Sequence, residues 1–154
     1  MDKTKIADPD SIIERSTALI AEFAAHQDWD ARYRHLIELG RALPALPEDA
    51  KTADNKVSGC QSQVWLTAKL QDNKILLAAD SDALIVRGLV AILLRIYQLQ
   101  PPQAILTHPP EFLSQIGLDS HLSPTRANGL AQIVKQIQFY ALAFQSLLDR
   151  QQNQ

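Results

Sequence analysis

A single cysteine, Cys60, is the strongest nucleophile that the 154-residue chain offers, and it lies in the tetrapeptide Ser58-Gly59-Cys60-Gln61. A thiol does chemistry when it is ionised and reachable. Gly59 beside it lets another molecule's backbone approach closely and permits backbone angles that other residues avoid. The competing reading is an inert, buried cysteine, because cysteine is among the most often buried residues. Four histidines, His26, His35, His108 and His121, raise the question of a Cys-His pair such as a stand-alone peroxidase or hydrolase would use. Their spacing supports none, since such a pair is recognised by geometry, and surface or helix-end positions account for them. Structural zinc needs four ligands at clustered spacings such as C-x2-C, which are absent, so no metal is expected.

Asp80 and Asp82 flank Ser81 where a helix is expected to begin, and acids are favoured there by the helix dipole. Helix capping suffices to explain them. Arg126 falls in the first turn of another expected helix, where a cation opposes the dipole and would prefer a carboxylate or thiolate partner; a solvated arginine is the alternative. Trp65 stands on the polar side of its segment, either packed beneath another layer or exposed as a partner anchor, and packing is the favoured reading.

The elements that must position these residues follow from periodicity. Ser11 and Glu14 form a capping-box pattern ahead of Ile12, Ile13, Leu19, Ile20 and Phe23, which predicts a first helix to about His26. Asp28 caps a second, whose Trp29, Tyr33, Leu36 and Ile37 share a face, and Pro44 and Pro47 forbid its continuation. A polar loop runs from Glu48 to Lys56. Alternation of Val64, Leu66, Ala68 and Leu70 with Gln63, Trp65, Thr67 and Lys69 predicts a strand, and Lys74 to Ala79 a second, joined at Asp72 and Asn73 as a hairpin. Lys56 to Ser58 could add a short third strand. Ser81 is expected to cap a long helix so dense in Leu84, Ile85, Leu89, Ile92, Leu93 and Ile96 that it reads as the central buried one. A short helix is expected over Glu111 to Ile116, stopped by Gly117, and Ser123-Pro124 starts a long final helix through Leu148. The glutamine-rich end is expected to fray. Strands clustered together, with helices before and after them, argue for an α+β fold: a small antiparallel sheet with helices on one face. No internal repeat is visible.

Composition bounds the class. A chain of this length suits one domain, residues 1–154, with 1–10 and 149–154 as expected flexible tails. An apolar share of 46% and a net charge of -2, with 15 basic residues scattered among 17 acidic ones, set nucleic-acid binding aside. No stretch approaches the about 18 uninterrupted apolar residues of a membrane span, and no secretory apolar region follows the start, so no membrane is expected as a partner. One cysteine makes no internal disulfide, which suits a reducing compartment, and the expectation is cytoplasmic.

Five segments in order resemble the SufE family, the sulfur acceptors and activators of pyridoxal-phosphate cysteine desulfurases. They are Ile37-Glu38-Leu39-Gly40 leading to Leu43-Pro44, Gly59-Cys60-Gln61-Ser62-Gln63-Val64-Trp65, Asp80-Ser81-Asp82-Ala83, Ile85-Val86-Arg87-Gly88-Leu89, and Leu122-Ser123-Pro124-Thr125-Arg126 leading to Gly129-Leu130. The resemblance spans from about Trp29 into the last helix. It implies a fold shared with IscU-type iron-sulfur scaffolds, without the further cysteines that a cluster scaffold requires. It also implies that Cys60 carries sulfur as a persulfide, and that the chain is a transfer partner and activator of a desulfurase instead of an enzyme. No cofactor is then needed here, since pyridoxal phosphate belongs to the partner. Gln61-Ser62-Gln63 resembles the branch that works with SufS-type desulfurases, with a downstream iron-sulfur scaffold as recipient and a monomer or weak dimer as the expected state. By the same resemblance Asp82 and Arg126 lie near the cysteine loop or docking surface, and Asn55, Gly59, Gln61 and Gln63 help to shape that loop.

Overall fold

The computed structural model describes residues 11–153, so the expected tail at 1–10 and residue 154 lie outside the described residues. Helix α1 (Ile12–Ala24) starts at the expected capping box: Glu14 N–H donates to Ser11 Oγ, and the Glu14 carboxylate accepts from Ser11 N–H. Helix α2 (Trp29–Ala42) is capped by Asp28, whose carboxylate accepts from Ala31 N–H at 2.8 Å. Two single 3-10 turns, Glu48–Ala50 and Ala53–Asn55, occupy the polar loop.

Strands β1 (Val64–Gln71) and β2 (Lys74–Ser81) pair antiparallel from Val64 opposite Ser81 to Gln71 opposite Lys74. Asp72 and Asn73 both take left-handed angles, φ 54° and 63°, as a two-residue turn between twisted strands demands. Because side chains alternate, Val64, Leu66, Ile75, Leu77 and Ala79 are buried on one face, while Lys69, Gln71 and Lys74 are exposed on the other. The expected third strand reduces to one bridge between Lys56 and Trp65. Val57 N–H bonds the Val64 carbonyl at 2.8 Å, but the chain turns at Ser58 and Gly59 and leaves the sheet. Trp65 is half-buried as expected, with the Lys51 ammonium over its ring at 5.5 Å from the centroid.

Helix α3 (Leu84–Tyr97) is the central buried helix: Leu89, Val90, Ile92, Leu93 and Ile96 are each at most 1% exposed. It crosses α2 at glycines. A Cβ on Gly88 would lie 2.3 Å from the Leu36 carbonyl oxygen, and one on Gly40 would lie 2.7 Å from Gly88 N, so the two backbones touch. The expected Ser81 cap is corrected. Ala83 is the N-cap and makes no side-chain cap bond, because Ser81 still pairs in β2 and its hydroxyl accepts from Ala83 N–H instead. Asp80 is not a cap either: its buried carboxylate takes the Arg87 guanidinium, Leu46 N–H and Ser81 N–H.

Pro102 at a first helical position starts α4 (Pro102–Thr107), a short helix not among the expected elements. Helix α5 (Phe112–Ile116) is stopped by Gly117 at φ 96°, and α6 (Leu118–His121) follows. Helix α7 (Pro124–Gln152), capped by Ser123, has 29 residues and is about 43 Å long. It stays helical through Gln152, with Gln145 Nε2 donating to Asp149 Oδ1 at 2.9 Å. It packs on α3 and α4 and buries Leu130, Ile133, Ile137 and Ala141. The architecture is thus α+β, with a two-stranded antiparallel sheet whose buried face packs against helices. Among the described residues no helix is long and apolar enough to cross a membrane.

Candidate functional site

Cys60 sits half-buried at the tip of the loop joining Val57 to β1 and faces a cavity of about 410 Å³. Val64 supplies one wall from the strand, Val86 and Leu89 a second from the first turns of α3, and Leu130 and Ile133 a third from α7. Each is apolar because it belongs to the core-facing stripe of its own element. Gln61, Ser62, Ser123, Thr125 and Arg126 supply the polar part of the lining. Cys60 Sγ lies 3.7 Å from the Gly129 carbonyl oxygen, to which the thiol donates weakly. Burial pushes the thiol above its ordinary value of 9.0.

The loop is built from both ends. Gly59 has φ 85°, a left-handed angle that favours glycine, and its missing side chain faces Gln132, where a Cβ would lie 3.1 Å from Cγ. Asn128 Nδ2 donates to the Gly59 carbonyl at 3.2 Å. On the other flank Gln63 N–H donates to Asp82 Oδ1 at 3.0 Å, while Asp82 N–H donates to the Gln63 carbonyl at 3.3 Å. This exchange extends the hairpin beyond Val64 and pins the loop's exit.

The structure therefore brings Cys60, Gln61 and Arg126 to one cavity, puts Gly59 and Gln63 on its loop, and bonds Asp82, between β2 and α3, to the loop's exit. Asn55 stands apart from the cavity lining; its amide donates to the Ala50 carbonyl at 2.8 Å and ties the two 3-10 turns together. Arg126 is exposed and has no carboxylate partner among the described residues, so it is not the ion-paired arginine that the dipole argument allowed. Asn128, Gly129 and Gln132 are the contacts that sequence reasoning missed. Their one signal is spacing, since positions 128, 129 and 132 share a face of the final helix.

None of the four histidines lines the cavity. His26 lies tilted against His35, which bonds Glu22; His121 stacks on Trp29 and its carbonyl accepts from the Tyr33 hydroxyl, and His108 bonds the Ala104 carbonyl. A thiol with no imidazole at hand lacks the base that a Cys-His hydrolase needs. Among the described residues no group of three or more His, Cys, Asp or Glu side chains is arranged to hold a metal ion.

Known proteins are similar to this chain over most of its length. A SufE-like protein of Rhizobium etli is 48% identical over 124 residues, covering 77% of this chain and 84% of its own, and one of Rhizobium meliloti is 44% identical over 124 residues. A SufE-like protein of Synechocystis is 38% identical over 151 residues, covering 94% of this chain and 95% of its own. The solution structure of a hypothetical protein from Thermus thermophilus superposes with a TM-score of 0.71 over 86% of this chain and 96% of that one, at 21% identity, which shows a shared fold. The model of the SufE family, described as an Fe-S metabolism associated domain, matches residues 17–141, and the chain belongs to that family.

Proposed function

We propose that this chain accepts sulfur from a SufS-type cysteine desulfurase on Cys60, stimulates that enzyme, and passes the sulfur on to an iron-sulfur scaffold. The observation that carries the reading is a lone cysteine, half-buried over a largely apolar cavity, at the tip of a loop of a SufE-family chain. In the transfer step Cys60 loses its proton to solvent and attacks the outer sulfur of the desulfurase persulfide. A new S–S bond forms on Cys60 as the old one breaks, and the desulfurase cysteine leaves as a thiolate. Sulfur moves without any external oxidant. Pyridoxal phosphate, which breaks the carbon–sulfur bond, belongs to the desulfurase, and this chain requires no cofactor of its own.

Walls from Val64, Val86, Leu89, Leu130 and Ile133 suit storage, because a persulfide open to solvent is lost to small thiols by exchange. The same burial holds the thiol protonated, so acceptance requires the loop tip to turn outward, and docking of the desulfurase is the event that favours this. Arg126, exposed at the cavity, and Asp82, exposed and bonded to Gln63 at the loop's exit, are within reach of a docked partner, which would release the Asp82 restraint.

Incubation with a cysteine desulfurase and free cysteine is expected to add one sulfur atom by intact mass, removable by reductant. Cys60→Ser is expected to gain none and to give no stimulation while keeping its fold, since a serine alkoxide is not available near neutral pH. A folded Cys60→Ser variant that still stimulates the desulfurase would sink the carrier reading.

A further inference from the structure

The cysteine loop is held firmly at both ends and lightly at its tip. Val57 bonds Val64 at the entry, and Gln63 and Asp82 bond each other at the exit. Between them, two hydrogen bonds tie residues 58–62 to the rest of the described chain: the Cys60 thiol to the Gly129 carbonyl, and the Asn128 amide to the Gly59 carbonyl. Both partners stand in the second turn of α7. Asn128 is exposed, and its hydrogen bond reaches across 69 positions of sequence.

The two bonds respond differently to chemistry at the sulfur. A thiol donates to a carbonyl only while protonated; a thiolate accepts, and meets the negative end of the Gly129 dipole. The reactive form of Cys60 thereby gives up its own tether. The amide of Asn128 does not titrate, so it remains as the hydrogen bond that keeps the tip on α7. Its acceptor is aimed by backbone, because Gly59 at φ 85° is seated against Gln132. Arg126 is the charged side chain in the cavity lining, and Val86 and Leu89 present only apolar groups from α3.

We infer that Asn128 is a positioning residue for Cys60: acting through the Gly59 carbonyl, it sets how often the sulfur leaves the cavity. Its purpose rests on the sulfur-transfer reading above, whereas its geometry does not. Asn128 acts on the sulfur through the loop, by its bond to the Gly59 carbonyl.

Three variants test this on the full chain, read by the rate at which iodoacetamide alkylates Cys60 across neutral to alkaline pH. Asn128→Ala removes the donor. Asn128→Asp keeps the shape but presents oxygens that repel the Gly59 carbonyl, and Asn128→Gln keeps the amide. Loss of one exposed neutral hydrogen bond shifts an opening equilibrium by about two- to tenfold. Alkylation of the Ala and Asp variants is therefore expected to rise by that factor, with the Gln variant nearer the parent and thermal midpoints unchanged. In the Ala variant the pH at half-maximal rate is expected to fall toward that of an exposed cysteine, because a more open loop spends less time in the apolar cavity, whereas the carboxylate of the Asp variant opposes that fall by disfavouring the thiolate. General loosening of the fold would lower the thermal midpoint as well. Should the Ala variant unfold, the Asp and Gln pair carries the comparison. Equal maximal alkylation rates, at alkaline pH where Cys60 is ionised, in folded Asp and Gln variants would overturn the inference. Failure of a desulfurase to load the parent's Cys60 would count against the sulfur-transfer reading and leave the alkylation result standing.

Discussion

At Cys60 the walls of Val64, Val86, Leu89, Leu130 and Ile133 take solvent from one side of the sulfur while the Gly129 carbonyl accepts a weak hydrogen bond from the thiol, and both favour the neutral thiol. Burial is what raises its ionisation above the ordinary 9.0. The sign for stability follows. A group whose folded value is raised contributes its stabilisation in full below its unfolded value and loses it as pH rises through the folded one. Alkylation of native Cys60 is therefore expected to reach half its maximal rate at a higher pH than in denaturant, and Cys60→Ser to remove part of the alkaline loss of stability. A native profile at or below the denatured one would show that the thiol is not sheltered. Sequence made the thiol itself legible, because it is the only one. Its shelter was not legible, since the residues that provide it come from β1, α3 and α7 and meet only when those elements pack.

Among elements, the hairpin was readable because period-two alternation and the Asp72-Asn73 turn are both local signals. The body of α3 was readable from its apolar density. Its start was not, because the role of Asp80 depends on distant partners: Leu46 N–H across 34 positions, and the Arg87 guanidinium, which also donates to the Gly40 and Leu43 carbonyls. One arginine thereby joins the end of α2, the end of β2 and the first turns of α3. Burial raises the Asp80 carboxyl, but the Leu46 and Ser81 amides together with Arg87 and Lys51 outweigh it and hold the group below its ordinary 3.8. Its stabilisation is thus present above 3.8 and lost as pH falls toward the folded value. Asp80→Asn leaves a partly buried guanidinium without its counter-charge and is expected to cost about 3 kcal/mol by denaturant unfolding at neutral pH. Below the ordinary carboxyl value its stability is expected to change less with pH than the parent's. A variant within experimental error of the parent at neutral pH would contradict this account. The third strand was misjudged for a similar reason, since Lys56 meets Trp65 only once before the loop turns, and α4, opened by Pro102, is six residues long and too short to show a helical period.

Over the whole molecule α7 links the cysteine loop to the core. Its second and third turns carry Asn128, Gly129 and Gln132 beneath the loop, while Leu130 and Ile133 are at once core residues and cavity walls. Ile137, one turn further on, is equally buried at 1% exposure but does not line the cavity. Stability and thiol shelter therefore separate along one helix. Ile137→Ala removes three methyl-sized groups from a packed site and is expected to cost about 2–5 kcal/mol, with Cys60 alkylation unchanged well below the melting temperature. Ile133→Ala is expected to cost less, near the low end of that range, because part of its surface already faces the cavity and leaves less new void. It also enlarges the chamber beside the sulfur, so water reaches Cys60 more readily and the alkylation profile shifts to lower pH. Denaturant unfolding and alkylation rates measured on the same two proteins decide the point. Were both variants to change alkylation equally, shelter of the thiol would depend on global stability, and the turn of α7 that faces Cys60 would have no special part in it.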